Sequence, residues 1–174
     1  MESVKSSERP PTEIERKFLV TQLPELIKEC PKSRIQQGYL MIAADGSEVR
    51  LRQVIKGPDF EPSHFITIKS AGDIKRTEME AEISAEVFDD LWPLTAGRRL
   101  VKDRHYLADE TGSAIVEIDI FTGELAGLIL AEVEFPSIND AQQFQPPAWF
   151  GPEVTDNSQY KNQNLAQNGL AKNL

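Results

Sequence analysis

Apolar and polar residues alternate one by one over much of this 174-residue chain. Alternation with period two places successive side chains on opposite faces of a β-strand. Gly and Asp occur together in "AADGSE" and "SAGDIK", which is typical of the turns that join neighbouring strands. The pattern therefore predicts a succession of strands, at residues 12–20, 34–43, 47–56, 63–70, 75–83, 99–107, 113–121 and 128–136.

A few segments with helical character interrupt or follow these strands. They are "LPELIKEC", "SAEVFDDLWPL" with Ser84 as a plausible N-cap, "SINDAQQF" and "SQYKNQNLAQNGL". Eight consecutive strands with few helices favour an all-β-dominated (α+β) fold, either an antiparallel barrel or a sandwich with peripheral helices. We expect one domain over residues 12–174, preceded by a flexible polar tail at residues 1–11.

The polar faces of the predicted strands are nearly all ionised, and the sign of their charge changes from strand to strand. The third, fourth and sixth predicted strands present basic residues, the seventh and eighth present acids, and the first and fifth present both. A face in contact with water needs no such sorting, whereas charged faces that turn inward would need it. We therefore predict an antiparallel barrel with a charged lumen and an apolar outer face covered by the helices.

Composition and charge exclude several classes of protein. Cys30 is the single cysteine, which excludes an internal disulfide and a Cys-based zinc cluster. The formal net charge of −9 argues against general nucleic-acid binding, which relies on a basic surface. No apolar run approaches the length of a membrane span, and the N-terminus has no apolar signal core. We expect a cytoplasmic protein that has neither nucleic acid nor membrane as a partner.

The inward charges suggest a chemistry, because buried charge is costly unless it is paired or holds an ion. Guanidinium groups match the oxygens of a dense phosphate polyanion, and paired carboxylates suit a hard divalent cation such as Mg²⁺ or Mn²⁺. A metal that bridges carboxylates to phosphate oxygens is typical of phosphoryl transfer. In the first predicted strand, "TEIERKFLV", Glu13 and Glu15 would then hold metal, and Lys17 would contact phosphate or the attacking water.

The charged positions also follow the order of a known family. "EIERK" gives the pattern ExExK, and it is followed in order by "VRLR", "TIKS", "RTEME", "KDRHY", "EID", "EVEF" and "YKN". With this series the chain resembles the CYTH superfamily, also called triphosphate tunnel metalloenzymes, from about Thr12 to the C-terminus. Its short length resembles the compact bacterial members, which hydrolyse inorganic tripolyphosphate. "QGYL" is similar to some of these members, in which a tyrosine supports the catalytic lysine.

The resemblance implies a closed eight-stranded tunnel with triphosphate bound through its centre, and it implies a role for each charged position. Lys17, with Tyr39, would help to activate water, which requires that neighbouring cations lower the lysine pKa. Lys161 would enter from the C-terminal helix and close one end. The cations that bind the phosphates would be Arg50, Arg52, Lys69, Arg76, Lys102 and Arg104, with Lys161. The metal ligands would be Glu13, Glu15, Glu132 and Glu134, with Glu78, Glu80 and Asp119 as further acids near the metal.

Three functions remain open at this level. The first is hydrolysis of inorganic tripolyphosphate, with thiamine or nucleoside triphosphates as variant substrates. The second is cyclisation of ATP, but class IV adenylate cyclases carry a His-Phe-Arg signature where this chain has Val49, Arg50 and Leu51. The third is a non-catalytic module that binds polyphosphate, which would not need two metal-holding pairs of acids. The expected partner is a small-molecule triphosphate, and both a monomer and a homodimer are compatible with the sequence.

Overall fold

Antiparallel strands make up most of the protein in a computed structural model that describes residues 12–71, 76–108 and 115–170. Thr12, Glu13 and Arg76 are described by their backbone alone, and residues 1–11, to which the tail prediction refers, lie outside the described part. The strands are β1 Thr12–Glu13, β2 Glu15–Val20, β3 Lys32–Ile42, β4 Glu48–Ile55, β5 Ser63–Lys69, β6 Arg76–Ile83, β7 Arg99–Ala108, β8 Ile115–Thr122, β9 Ile129–Glu134 and β10 Phe150–Glu153. The α-helices are α1 Ala85–Leu91, α2 Ile138–Gln143 and α3 Asn162–Asn168, and 3₁₀ turns occupy Glu25–Glu29, Trp92–Thr95, Gly123–Leu125 and Ser158–Tyr160.

All eight predicted strands are present, and their ends agree within two residues, although the first is interrupted at Ile14. The prediction of Ser84 as an N-cap is confirmed, because its side chain accepts a hydrogen bond from the backbone N–H of Val87. The segment "LPELIKEC" forms a 3₁₀ helix of five residues, Glu25–Glu29, and not an α-helix. None of the helices in the described ranges is long and apolar enough to cross a membrane.

The prediction of a closed eight-stranded barrel is wrong. The strands form one open antiparallel sheet in the order β1-β6-β5-β4-β3-β7-β8-β9-β2-β10, so β1 and β10 are its ends within the described residues. Closure would require the second edge of β2 to pair with β6, but β10 occupies that edge, with Phe150 opposite Val20 and Glu153 opposite Phe18. The hydrogen-bonded ladder is therefore not closed, although the two halves of the N-terminal strand, β1 and β2, pair with β6 and β9 respectively.

The approach of β10 to β2 depends on Gly151. A Cβ atom at this position would lie 2.9 Å from the carbonyl oxygen of Leu19, a distance that real Cβ atoms do not tolerate. Arg16 fastens the same junction from β2, because its guanidinium group donates to both carboxylate oxygens of Glu153 and to the backbone carbonyls of Ala141 and Phe144. These contacts join β2, α2 and β10 into one unit.

Two apolar clusters stabilise the sheet. One lies on the outer face of β2, β8 and β9, under α2 and the aromatic residues that follow it. Its buried members are Phe18, Val20, Ile27, Val116, Ile118, Ala131, Val133, Phe135 and Ala141. The other cluster lies on the opposite, inward face and joins the sheet to α3. Its buried members are Tyr39, Leu100, Phe121, Leu125, Leu128, Leu130, Val154, Tyr160, Leu165 and Ala166.

Candidate active site

The charged faces of the strands line one large cavity of about 940 Å³. Alternation along each strand puts the charges on this side, since Phe18, Ile118 and Ala131 of the same strands belong to the outer cluster. Thirteen of the predicted site residues line the cavity, namely Glu15, Lys17, Tyr39, Arg50, Arg52, Lys69, Glu78, Glu80, Lys102, Arg104, Glu132, Glu134 and Lys161. The side chains of Glu13 and Arg76 lie outside the described part, so their predicted roles stay predictions.

Arg104 on β7 is the centre of a buried ion-pair network. It donates from Nε to Oδ1 of Asp119 over 2.7 Å, and from Nη2 to Oδ2 of Asp119 and Oε2 of Glu132, each over 2.7 Å. It also contacts the carboxylate of Glu117. Burial alone would lower the pKa of Arg104, but Asp119 and the two glutamates together raise it well above its ordinary value.

Asp119 accepts hydrogen bonds from two cations of β7, Lys102 and Arg104. Its side chain is fully buried, and Lys102 shares its Oδ2 with Arg104. Burial and the neighbouring charge of Arg104 lower the pKa of Lys102, against the opposing effect of Asp119. Both oxygens of Asp119 are thus occupied by β7 cations, so its predicted role as an acid near the metal stays a prediction.

Lys17 lies opposite Glu132 across the β2–β9 ladder, and its Nζ is 2.8 Å from Oε1 of that residue. Glu15 is further away, with its Oε1 4.0 Å from the same Nζ atom. Burial would raise the pKa of Glu132, but Lys17, Lys102 and Arg104 hold it well below its ordinary value. Glu132 is therefore an ionised carboxylate that contacts both Lys17 on β2 and Arg104 on β7 and so connects the two.

The opposite wall carries cross-strand ion pairs between β4, β5 and β6. Glu78 lies 2.7 Å from Nζ of Lys69 and 3.3 Å from Nη2 of Arg50. Glu80 accepts from Arg52 over 2.6 Å and from the Thr67 hydroxyl over 2.8 Å. The register explains these contacts, because Lys69 faces Glu78 and Thr67 faces Glu80 directly across the ladder.

Arg52 is held in an environment that disfavours its charge. Burial lowers the pKa of its guanidinium group, and the cations Arg50 and Arg104 lower it further, whereas Glu80 opposes the shift. Its Nε atom is buried and makes no hydrogen bond to any residue that the structure describes. An anion in the cavity would add a negative charge next to Arg52 and would accept a hydrogen bond from its Nε–H group.

Tyr39 is completely buried at the floor of the cavity, where its hydroxyl oxygen accepts a hydrogen bond from Nε2 of Gln37 over 2.6 Å. Burial raises the pKa of the phenol far above its ordinary value, and the charge of Glu48 adds to this effect. Tyr39 therefore keeps its proton.

Gly38, between Gln37 and Tyr39, lets β3 lie against the 3₁₀ turn at Trp92–Thr95. A Cβ atom at this position would lie 2.5 Å from the hydroxyl oxygen of Thr95.

Sequence reasoning assigned no role to several residues that line the cavity. Alternation puts Gln37, Glu48 and Glu117 on the inward face, because each lies two residues from a predicted site residue on the same strand. No comparable signal exists for residues that reach the cavity from α3 or by local geometry. The lining residues without a predicted role are Ile35, Gln37, Glu48, Met79, Glu117, Asn162 and Gln163.

The carboxylates in the cavity fit a hard divalent cation in kind. Glu15 and Glu134 lie directly opposite each other in the β2–β9 register, and like charges in that position repel unless a cation lies between them. Glu132 is two residues from Glu134 on the same strand. Within the part of the chain that the structure describes, no three acidic, His or Cys groups are already gathered at metal-binding distance. The set is therefore a pair with a neighbouring third carboxylate.

Curated relatives and solved structures resemble this chain over most of its length, whereas no family model matches it. The inorganic triphosphatase of Nitrosomonas europaea is 45% identical over 155 residues, which cover 89% of this chain and 97% of the relative. The inorganic triphosphatase of Acetivibrio thermocellus is 32% identical over 158 residues, which cover 90% and 94% respectively. A crystal structure of an inorganic triphosphatase superimposes with a TM-score of 0.68 and 41% identity, and covers 94% of this chain and all of that one.

The pairing of Glu132 predicts how stability depends on pH. We expect Glu132→Gln to lower the free energy of unfolding at pH 7 by about 3 kcal/mol, because it leaves buried cations without their partner. Since the folded-state pKa of Glu132 lies below its ordinary value of 4.5, its contribution is complete above that pH and is lost as the pH falls toward the folded value. In urea denaturation, the difference between wild type and variant should therefore narrow as the pH falls below 4.5.

Glu134→Gln is the matched control for this measurement. Glu134 is on the same strand but is exposed and faces Glu15, so its replacement relieves like-charge repulsion and should raise the free energy of unfolding by at most about 1 kcal/mol. A difference between wild type and Glu132→Gln that stays constant over the acid range would contradict the assignment of a depressed pKa to Glu132.

Proposed function

The chain belongs to the inorganic triphosphatase family, and from this premise we propose that it hydrolyses inorganic tripolyphosphate to pyrophosphate and phosphate in the charged cavity. The reaction is hydrolysis of a phosphoanhydride bond. The observation that supports it most directly is the array of cations around one cavity, which would bind successive phosphates. Of the predicted phosphate-binding residues, Arg50, Arg52, Lys69, Lys102, Arg104 and Lys161 line that cavity. A cytoplasmic location and a monomeric or dimeric state stay predictions.

The cations of the cavity are spread along two walls, which suits an extended polyanion better than a single phosphate. Lys102 and Arg104 come from β7, whereas Arg50, Arg52 and Lys69 come from β4 and β5. Guanidinium groups bind phosphate oxygens through parallel hydrogen bonds, and Arg52 has a buried N–H that no described residue accepts. A triphosphate in the cavity would contact both walls.

We assign metal binding to the facing pair Glu15 and Glu134, with Glu132 beside them and Glu13 as the fourth member of the predicted set. Glu78, Glu80 and Asp119 stay secondary, because they lie on β6 and β8 and not on β2 and β9, the two strands that hold the facing pair. A hard divalent cation, Mg²⁺ or Mn²⁺, would neutralise negative charge on the phosphate oxygens during the reaction.

Lys17 and Tyr39 are the proposed catalytic residues. Lys17 would help to activate the attacking water or would orient the phosphate that the water attacks. Tyr39 keeps its proton, and its hydroxyl accepts from Gln37, so it can donate a hydrogen bond but cannot serve as a base. Gln37 fixes the direction of that hydroxyl.

The substrate prediction follows from the lining of the cavity. It offers many phosphate contacts, but the one aromatic side chain in its described lining, Tyr39, is fully buried. The described lining therefore provides no exposed aromatic surface on which a nucleobase could stack. We expect a much higher kcat/KM for tripolyphosphate than for ATP or thiamine triphosphate, and poor hydrolysis of pyrophosphate, which is too short to reach both walls.

Product chromatography of the four substrates under matched conditions tests this expectation. Tripolyphosphate should give pyrophosphate and phosphate, and any turnover of ATP should give ADP and phosphate. Cyclic AMP as the main product from ATP would instead identify a cyclase. Tight binding of tripolyphosphate without turnover in the presence of Mg²⁺ and Mn²⁺ would identify a binding module.

We expect activity to require Mg²⁺ or Mn²⁺ and to be lost in excess chelator, because the cavity offers hard carboxylate ligands. Ca²⁺ should support little turnover, since its looser coordination would misplace the reacting groups. Glu134→Gln should abolish turnover and weaken Mn²⁺ binding in a calorimetric titration, while leaving the circular dichroism spectrum unchanged. The control is Glu124→Gln, an exposed carboxylate in the turn Gly123–Leu125 that does not line the cavity. Full turnover in chelator would exclude the metal.

Lys17→Arg separates the two roles of Lys17, because arginine keeps the positive charge but does not deprotonate. If Lys17 acts as a neutral base, the rate of the wild type should rise toward alkaline pH. The variant should then lose about 10²- to 10⁴-fold in kcat with little change in KM. Steady-state kinetics from pH 6 to pH 10 measure both, with Lys28→Arg as an exposed control. Near wild-type turnover of Lys17→Arg would show that Lys17 only orients phosphate.

A further inference from the structure

The first residues of α3 cross one end of the cavity. Lys161, immediately before the helix, lines a small pocket together with Glu15 and Lys17. Two residues later, the Nε2 atom of Gln163 approaches the turn between β3 and β4, at 4.0 Å from the position of a Cβ on Gly46. The chain thus passes from the side of the cavity formed by β2, which carries Lys17, to the β3–β4 turn at this end of the cavity.

The same helix is anchored by its other face. Leu165 and Ala166 belong to the buried cluster that contains Tyr39, and α3 packs against β3 and β7. The anchoring fixes the position of the residues at the beginning of the helix. Asn162 and Gln163 are therefore held in place at the cavity by packing, and both line it.

Gln163 has an unsatisfied polar atom. Its side chain is only 8% exposed, and neither its Oε1 nor the Oδ1 of Asn162 is hydrogen-bonded to any residue in the described ranges. Buried polar groups without a partner are rare in proteins, because they lose their hydration without compensation. Two such oxygens at adjacent positions, both on the wall of one cavity, indicate a ligand that hydrogen-bonds to carboxamides.

A terminal phosphate has the complementary chemistry. A carboxamide carries two N–H donors and one acceptor oxygen, and rotation of the group exchanges their positions. A bare terminal phosphate has a second pKa of about 6, so it offers acceptor oxygens and, when protonated, a hydroxyl donor. A terminal phosphate that also carries an ester has no such hydroxyl, and its substituent would occupy the position from which an unesterified phosphate offers its oxygens to the carboxamides.

We propose that Gln163, assisted by Asn162, binds the bare terminal phosphate of the substrate at the end of the cavity that the first residues of α3 line. The inference rests on the proposed function of the cavity as a triphosphate site. It predicts that a ligand must have at least one unesterified terminal phosphate. Tripolyphosphate and ATP both fulfil this condition, whereas diadenosine triphosphate, which is esterified at both ends, does not.

The test compares Gln163→Leu with wild type. Leucine has a similar size but neither donates nor accepts, so KM for tripolyphosphate should rise about tenfold or more, the effect of one or two hydrogen bonds to a charged ligand, with a smaller change in kcat. The inhibition constant of ATP as a competitor should rise by the same factor. Diadenosine triphosphate should compete weakly with both proteins and to the same extent. Gln167→Leu, an exposed position on the same helix, should leave all values unchanged.

The outcomes are distinguishable. An unchanged KM of Gln163→Leu, or an equal effect of Gln167→Leu, would show that Gln163 is a structural amide only and would overturn the subsite. Strong competition by diadenosine triphosphate against wild type would also overturn it. If wild type does not hydrolyse tripolyphosphate, the proposed function fails. The subsite is then still tested by the rise in melting temperature on adding tripolyphosphate, which Gln163→Leu should reduce if the ligand binds there.

Discussion

The pairing of Arg104 with Asp119 is the interaction on which the charged cavity depends. Both side chains are buried, and an isolated charge at either position would cost several kcal/mol. The pair holds the guanidinium group by two hydrogen bonds, and from this fixed position Arg104 also binds Glu132. Glu132 in turn pairs with Lys17. The placement of the proposed catalytic lysine thus follows, through two further contacts, from one buried ion pair.

The same pairing explains why anion and metal belong together in this site. A cation that turns from its carboxylate toward a phosphate leaves that carboxylate buried without a counter-charge, and the resulting free-energy cost is comparable to the stabilisation from the phosphate. Lys69, for example, would have to share its charge between Glu78 and a phosphate. A divalent cation that enters with the polyanion restores the balance of charge. The carboxylates and the cations of the cavity are in this sense complementary to a metal–phosphate complex and not to either ion alone.

Much of the site could be predicted from sequence, because a strand with period-two alternation leaves little freedom about which side chains share a face. Arg50, Arg52 and Lys69 lie where the pattern puts them. The pattern could not show that the sheet stays open. Its opening depends on the pairing of β10 with the outer edge of β2, and that contact requires the absence of a side chain at Gly151. The pairing within the cavity was equally hidden. Alternation shows that Asp119 faces inward but not that two neighbouring cations occupy both of its oxygens.

The residues of α3 show why the end of a site is harder to predict than its walls. A wall residue is placed by the register of its own strand, whereas Gln163 is placed by contacts that its helix makes elsewhere, through Leu165 and Ala166. Its amide would be ordinary on a solvated helix. Here it indicates a binding position for two reasons. The anchored helix buries this side chain at the cavity, and its oxygen lacks a hydrogen-bond partner among the described residues. An unsatisfied group that packing holds in place is a better indication of a ligand than residue type, since a buried polar atom without a protein partner needs a water, an ion or a ligand to hydrogen-bond with.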